Sequence, residues 1–414
     1  MPHPDKLPAG LSTGERIRFL RESRGMSRAV LAGLCGRGID WLKKIETGER
    51  ALRSHTLLLR LAVALQVSDL AVITGDSSEV TQPVPLGRLS HPAMPGIWSA
   101  VMGRSLTLES TSRSIDVAIL QGQVDQTWKL WHASQRQRTE VGALLPDLIR
   151  QAESAARTTE GAERRRALVA LSDVYRLVGQ ATAYVAPAEL AWVVADRALT
   201  AAQTADDPAA IAAAAWNMGN ILRETAYPEE ALRVVAEAAD LIRPHLDEAP
   251  EDWRGIYGAL QLHAAVTAAR DGREGEAWRY WDAGDQVAKS LPAAYVHPST
   301  VFGRANVDFH GVSVATDLRK SGQALSRADD INPDVMPSVE RRSRLWVEVA
   351  RGHLQRGDRT AALHVMGVAC KVSNETVAYT PSARAVAADL WRKAPRAFRD
   401  EAARLAEAVG VTGP

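Results

Sequence analysis

Two groups of side chains have types and spacings suited to chemistry, and in both the chemistry is recognition through charge and hydrogen bonds. The first is crowded between residues 15 and 53. There ten cations (Arg16, Arg18, Arg21, Arg24, Arg28, Arg37, Lys43, Lys44, Arg50 and Arg53) outnumber five acids (Glu15, Glu22, Asp40, Glu46 and Glu49), in a chain whose total charge is only +1. A basic module on a neutral remainder is suited to contacting phosphates through that module alone. The second group comprises Asn217, Asn220, Arg223, Arg304, Asn306 and His310. A side-chain amide both donates to a carbonyl and accepts from an N–H, and a guanidinium pairs with a carboxylate, so this set suits a polar ligand. Group-transfer signatures are missing: there is no Walker loop, HExxH, GxSxG or Cys/His cluster at ligand spacing, and Gly272-x-x-Gly275 has no preceding strand and reads as a turn. No catalytic residue, cofactor or metal is expected.

The basic group must be positioned by the stretch Gly25 to Arg50, GMSRAVLAGLCGRGIDWLKKIETGER. Ser27 is a good N-cap for a helix from Arg28 to about Leu34, with Val30, Leu31 and Leu34 at inward spacing. A turn follows at Gly36-Arg37-Gly38. A second helix from Ile39 to Ile45 turns Leu42 and Ile45 inward, leaves Ile39, Asp40, Lys43 and Lys44 free, and stops at Thr47-Gly48. A helix fixed on one side with a basic outer face has the form of a major-groove reader.

This stretch resembles the XRE/Cro-type helix-turn-helix. It has the Gly-hydrophobic-Ser opening, Leu31-Ala32 in the first helix, Gly36 in the turn, and Ile45-Glu46-x-Gly48 closing the recognition helix. Ahead of it, Glu15 to Arg24 carries Ile17 and Leu20 as a leading helix; behind it, His55 to Leu65 supplies the apolar side chains of two closing helices. The resemblance implies a five-helix DNA-binding domain over residues 12–73, with base contacts from Arg28, Ile39, Asp40 and Lys44. Arg can pair with guanine and Asp can accept from cytosine. Lys43, Arg50 and Arg53 are expected on phosphates, with Arg37 of the turn also at the interface. Trp41, at a position usually small, is expected to pack on a neighbouring helix or a sugar.

With 414 residues the chain calls for two or more packed units. Its two cysteines, Cys35 and Cys370, cannot form a metal knuckle, and buried thiols in a reducing cytoplasm are expected. There is no signal peptide and no run of eighteen apolar residues, so a cytoplasmic protein, nucleoid-associated when bound to DNA, is expected. Residues 74–113 read as a Pro-rich linker, of which Ile97, Trp98 and Val101 would be costly to leave in water.

From Ser114 onward the pattern is helical, so the fold class is all-α. A helix from Ile115 to about His132 carries Ile119, Val124, Trp128 and Trp131. Ala214 to Pro244 resembles a tetratricopeptide repeat: Gly219 lies in its first helix, Ala231 and Ala238 in its second, and Tyr227-Pro228-Glu229-Glu230 forms the turn. Looser units are centred on Gly179 with Ala191, Ala195 and Ala198; on Ala277 with Gly284; on residues 301–331; and on Ala350 with Ala362 and Ala369. They are expected to stack over residues 114–414 into a curved α-solenoid with a concave inner face. Tetratricopeptide proteins often bind a peptide backbone from the positions of Asn217 and Asn220; the same amides could equally bridge neighbouring repeats, and His310 could be structural. The eleven tryptophans are expected in packing.

This combination resembles the peptide-sensing RRNPP regulators in architecture. The resemblance implies a sequence-specific transcriptional regulator that binds double-stranded DNA as a homodimer, reads half-sites ~34 Å apart, and responds to a peptide or small-molecule effector held in the groove. The alternative is a DNA-anchored scaffold whose repeats recruit a partner protein.

Overall fold

A computed structural model describes residues 11–52, 54–65, 67, 71–74, 89–103 and 115–411. The chain divides into two compact units, residues 1–85 and 86–414. Among the described residues every regular element is helical.

The first unit contains α1 (Thr13–Ser23), α2 (Arg28–Leu34), α3 (Ile39–Glu46), α4 (His55–Ala64) and α5 (Ala71–Thr74). Local signals set the helix starts: Ser12 and Glu15 form a reciprocal capping box on α1, and Ser27 caps α2 through the Val30 amide. Gly25, Gly36 and Gly48 adopt the left-handed conformation that closes each helix end. The stretch expected to supply both closing helices forms only α4; the second, α5, begins at Ala71. The core gathers Ile17, Leu20, Leu31, Ala32, Cys35, Leu42, Ile45, Leu61 and Leu65, with Trp41 packed against it.

The phase of α2 differs from expectation. Leu31, Ala32 and the capping Cys35 point inward, whereas Val30 and Leu34 are 51% and 59% exposed. At 100° per residue Leu31 and Cys35 share one face, and Val30 and Leu34 fall on an adjoining one.

The second unit begins earlier than the sequence reading placed it. Part of the expected linker is a helix, α6 (Met94–Met102), and it joins the second unit because Met94, Ile97, Ala100 and Val101 bury there, while Trp98 stays 41% exposed. Antiparallel pairs follow: α7 (Val117–Ala133) with α8 (Gln137–Thr158), α9 (Gly161–Thr182) with α10 (Ala188–Ala205), α11 (Pro208–Glu224) with α12 (Pro228–Ile242), and α13 (Glu251–Arg270) with α14 (Glu274–Ser290). Then come α15 (Arg304–Asp317) with α16 (Ser321–Asp329), α17 (Val339–Gln355) with α18 (Arg359–Tyr379), and α19 (Pro381–Lys393) with α20 (Arg399–Ala408). In α7, capped by Asp116, Val117, Leu120, Val124, Trp128 and Trp131 lie on the buried face, leaving Ile119 63% exposed rather than inward.

Small residues let paired helices approach. Ala231, Ala277, Ala324, Ala362 and Ala369 are all buried, and a methyl group at Gly219 would lie 2.7 Å from Val235 Cγ1. The repeat pattern is therefore a record of helix contact.

A simple solenoid contacts only its sequence neighbours, but here the early helices also meet the late ones. α18 leaves helical geometry at Ser373. There Ser373 Oγ donates to the Gln135 carbonyl at 2.8 Å, and Gln137 Nε2 donates to Thr376 Oγ1 at 2.6 Å. Glu375 then accepts from the Arg138 and Thr139 amides at 2.7 and 3.2 Å and from Thr139 Oγ1 at 2.5 Å, with His91 Nε2 3.4 Å away. A carboxylate from α18 thus caps α8, whose own N-cap residue, Arg136, makes no side-chain cap. These contacts tie the early and late helices of the array together.

Candidate functional site

In the first unit the candidate interface is α3. Leu42, Ile45 and Glu46 are turned inward, and α1 approaches so closely that a methyl group at Gly14 would collide with the Ile45 carbonyl. Outward, Ile39 is 53% exposed, and Asp40, Lys43 and Lys44 are exposed. Arg37 in the turn and Arg50 after the helix are exposed as well; the Arg50 amide donates to the Lys44 carbonyl at 2.9 Å, tying down the chain behind α3. Arg53 lies outside the described residues.

Arg28 has a role that the sequence did not reveal. Its Nε donates to Glu46 Oε2 at 2.7 Å, while Arg21 donates to the same carboxylate through Nε at 2.6 Å and Nη2 at 3.1 Å. Glu46 is buried and Arg21 is 6% exposed, so the acid closing α3 locks it to α1 and draws Arg28 inward. Arg28 is therefore half-buried and partly committed, unlike Lys43 and Lys44.

In the second unit the first helices of successive pairs, joined by residues of α8 and α10, line an inner cavity. Asn217, Asn220 and Arg223 come from α11 and His310 from α15, so four of the six expected ligand residues share one wall. Arg304 and Asn306 do not line it: Arg304 is exposed on the first turn of α15, and Asn306 is buried away from the opening. Arg304 falls off the face that carries His310 and Ser313, whereas Asn306 shares that face but sits one turn nearer the start of α15, beyond the cavity wall.

Within the wall, Asn217 bridges repeats, with Nδ2 donating to the Arg176 carbonyl at 2.9 Å and Oδ1 accepting from Gln180 at 3.4 Å. Asn220 donates to the Trp216 carbonyl and accepts from Arg223 Nη2 at 2.5 Å; Arg223 Nη1 donates to Thr267 Oγ1 at 3.3 Å. His310 Nδ1 donates to the Asn306 carbonyl at 2.7 Å, which leaves Nε2 as an acceptor. Burial, with Arg341 next, pushes the His310 pKa down to about 3, so the ring is neutral.

Sequence reading missed most of the charge. The wall also carries Arg138 from α8, Glu224 from α11, Arg270 from α13 and Glu340, Arg341 and Arg344 from α17. Glu340 accepts from Arg344 at 3.2 Å. Burial alone would raise its pKa, but Arg341, Arg344 and Arg138 together hold it at about 2. Burial followed by the neighbouring Arg270 depresses Arg223, and burial depresses Arg138 and Arg341. A legible signal existed: α11, α13 and α17 carry polar residues three or seven apart (Asn217, Asn220, Arg223; His263, Arg270; Arg341, Arg344) on the inward face.

Among the described residues no helix is long and apolar enough to cross a membrane. Burial raises the thiol pKa of both Cys35 and Cys370, the latter to about 11.

A family model described as a helix-turn-helix domain matches residues 13–72. No curated protein matches the chain. Among solved structures, a Rap protein complexed with Competence and Sporulation Factor is 14% identical, with 96% of this chain and 97% of that one covered and a TM-score of 0.47. A point mutant of PrgX is 10% identical, covering 84% and 96%, with a TM-score of 0.35. Bacillus thuringiensis PlcR in complex with the peptide PapR7 and DNA is 12% identical, covering 84% and 98%, with a TM-score of 0.28. Residues 13–72 thus match a helix-turn-helix domain, and the second unit is an array of antiparallel helix pairs.

Proposed function

We propose that this chain is a sequence-specific DNA-binding transcriptional regulator whose helical array senses a peptide or small-molecule effector and mediates dimerisation. The observation that carries this reading is the outward face of α3: Ile39, Asp40, Lys43 and Lys44 are exposed on a helix whose opposite face is locked to α1 by Leu42, Ile45 and the Glu46–Arg21 pair. In this reading Lys44 and Asp40 meet base edges and Ile39 meets a thymine methyl. Arg37, Lys43, Arg50 and Arg53 neutralise phosphates, and Arg28 supports the α2–α3 geometry while retaining reach to the backbone. A homodimer would present two such helices to a two-fold site.

The effector half of the proposal rests on the inner cavity and its polar and charged wall. Arg138 faces the cavity with its guanidinium and bonds Glu375 with its backbone amide. A ligand that favours one curvature of the array would act on this closure and alter the joint affinity of two DNA-binding units.

The test is a salt titration of duplex binding by the full chain. Affinity should fall steeply between about 50 and 200 mM salt, and the log–log slope should become shallower by about one for each of Lys43→Ala and Lys44→Ala if each neutralises a phosphate. Absence of duplex binding even at low salt would overturn the reading.

A further inference from the structure

The inner cavity holds more positive charge than its structural bonds use. Five guanidiniums line it (Arg138, Arg223, Arg270, Arg341 and Arg344) against two carboxylates, Glu224 and Glu340. Glu340 is taken up by Arg344, and Arg270 also reaches Asp317 at 3.4 Å. Even with Glu224 ionised, two carboxylates leave three of the five guanidiniums without a counter-charge on the wall, and no hydrogen bond joins Glu224 to Arg223, whose Nη atoms go to Asn220 and Thr267.

Three guanidiniums then keep buried nitrogens without a hydrogen-bond partner: Nε and Nη1 of Arg138, Nε of Arg223 and Nε of Arg341. Arg138 is 4% exposed, and its one side-chain hydrogen bond is a long one, 3.5 Å, to the Ala183 carbonyl. Its guanidinium lies 5.6 Å over Trp131 and 5.7 Å over Tyr379, which fixes its plane without satisfying its N–H groups. Arg341 stands 3.5 Å from Glu340 without a hydrogen bond and 5.9 Å over Phe309. A buried N–H group left unpaired is costly, and more so on a cation than on a neutral group. A stack of such groups around one cavity is a site built for a partner of opposite charge.

We propose that the cavity binds the anionic end of its ligand, a carboxylate or phosphoryl group, through Arg138, Arg223 and Arg341, with Trp131, Trp216 and Phe309 covering the ligand's less polar part. The proposal rests on the effector reading above and narrows it: the effector is an acid. The carboxyl terminus of a peptide and a phosphorylated small molecule share this chemistry, and the experiment separates them.

The full chain would be followed by tryptophan fluorescence and thermal unfolding with three probes: inorganic pyrophosphate, a randomised hexapeptide pool with free carboxyl termini, and the same pool amidated. At least one of pyrophosphate and the free-acid pool should raise the unfolding midpoint, and whichever does so identifies the source; the amidated pool should act at least tenfold more weakly than its free-acid twin. Arg138→Met with Arg341→Met should weaken the active probe at least tenfold, whereas Arg304→Met, outside the cavity, should not. Because Arg138 and Arg341 also neutralise Glu340, each binding comparison is made as the ligand-induced shift relative to the same variant's own unliganded midpoint, and a cooperative unfolding transition in the variant guards against simple misfolding. Equal shifts from the amidated and free-acid pools, or no shift from either acid probe, or equal shifts in the wild type and the double variant, would overturn the proposal. An acid that binds through Arg138 and Arg341 but leaves duplex affinity unchanged would uphold this site and remove the regulatory reading. An uncharged ligand that shifts duplex affinity would do the reverse.

Discussion

Replacing Glu375 should open the closure between the early and late helices of the array. In the folded chain its carboxylate, 10% exposed, takes two backbone amides at the start of α8 and the Thr139 hydroxyl, at 2.7, 3.2 and 2.5 Å. A hydrogen bond to a charged acceptor contributes about 1.5–3 kcal/mol, and an anion at a helix N-terminus adds about 0.3–1 kcal/mol. Water reaching the vacated site would restore part of this, so Glu375→Ala should destabilise the second unit by about 3 kcal/mol. Glu375→Gln, which keeps one acceptor oxygen but turns a donor toward other donors, should cost about 1–2 kcal/mol on the same grounds. Urea unfolding followed by tryptophan fluorescence is the assay, since ten of the eleven tryptophans, all but Trp41, lie in the second unit. Hydrogen exchange supplies the local readout: the Arg138 and Thr139 amides should lose protection in Glu375→Ala before distant helices do. If both variants stay within about 0.5 kcal/mol of the wild type, or if those two amides exchange unchanged, the closure does not hold the array together.

Glu46→Ala should destabilise the first unit by about 2–4 kcal/mol, because it removes the main carboxylate partner of buried Arg21, which keeps Glu22 and the Met26 carbonyl, and also releases Arg28; calorimetry of the full chain would show one transition moving down while the other stays. Gly219→Val should cost about 1–3 kcal/mol by overpacking against Val235 and His263, measured by urea unfolding. Acid should destabilise the second unit through His297, whose buried Nδ1 accepts from the Ser299 and Thr300 amides at 3.2 Å each. Burial, then Arg176 and His132, depress its pKa to about 3. The unfolded chain therefore binds the extra proton first: this stability is complete above about pH 6.5 and is lost as pH falls from there toward about 3, by about 2 kcal/mol at about pH 5. Because His132, His263 and His310 are depressed as well, His297→Asn should make the dependence of unfolding free energy between about pH 7 and pH 5 shallower by one group's share, and an unchanged slope would refute the assignment.

Asn217 illustrates how a ligand position and a structural one can share the same letters. Its place on a first helix was readable from the repeat, and it does line the cavity, but its amide is spent on the Arg176 carbonyl and on Gln180. Both partners come from α9, the first helix of the preceding pair, and no local pattern encodes them. Val30 and Ile119 show a second kind of limit. Both are apolar at plausible helical spacing, yet both are more than half exposed, because packing against neighbouring helices sets a rotation in which the adjacent Leu31 or Leu120 takes the inward place.

Features set within a few residues could be read directly along the chain: serine and aspartate caps, left-handed glycines after helices, the spacing of small residues that lets helices pair, and the basic outer face of α3. They follow from backbone geometry and helical period, which act over one or two turns. The pairings between distant residues needed the folded chain: Glu46 with Arg21, Glu375 with the start of α8, and the gathering of Arg138, Arg223 and Arg341 around one cavity. The first pair is 25 residues apart and the second 237. Buried charge must find a partner wherever packing brings one, and no short-range rule says where that will be.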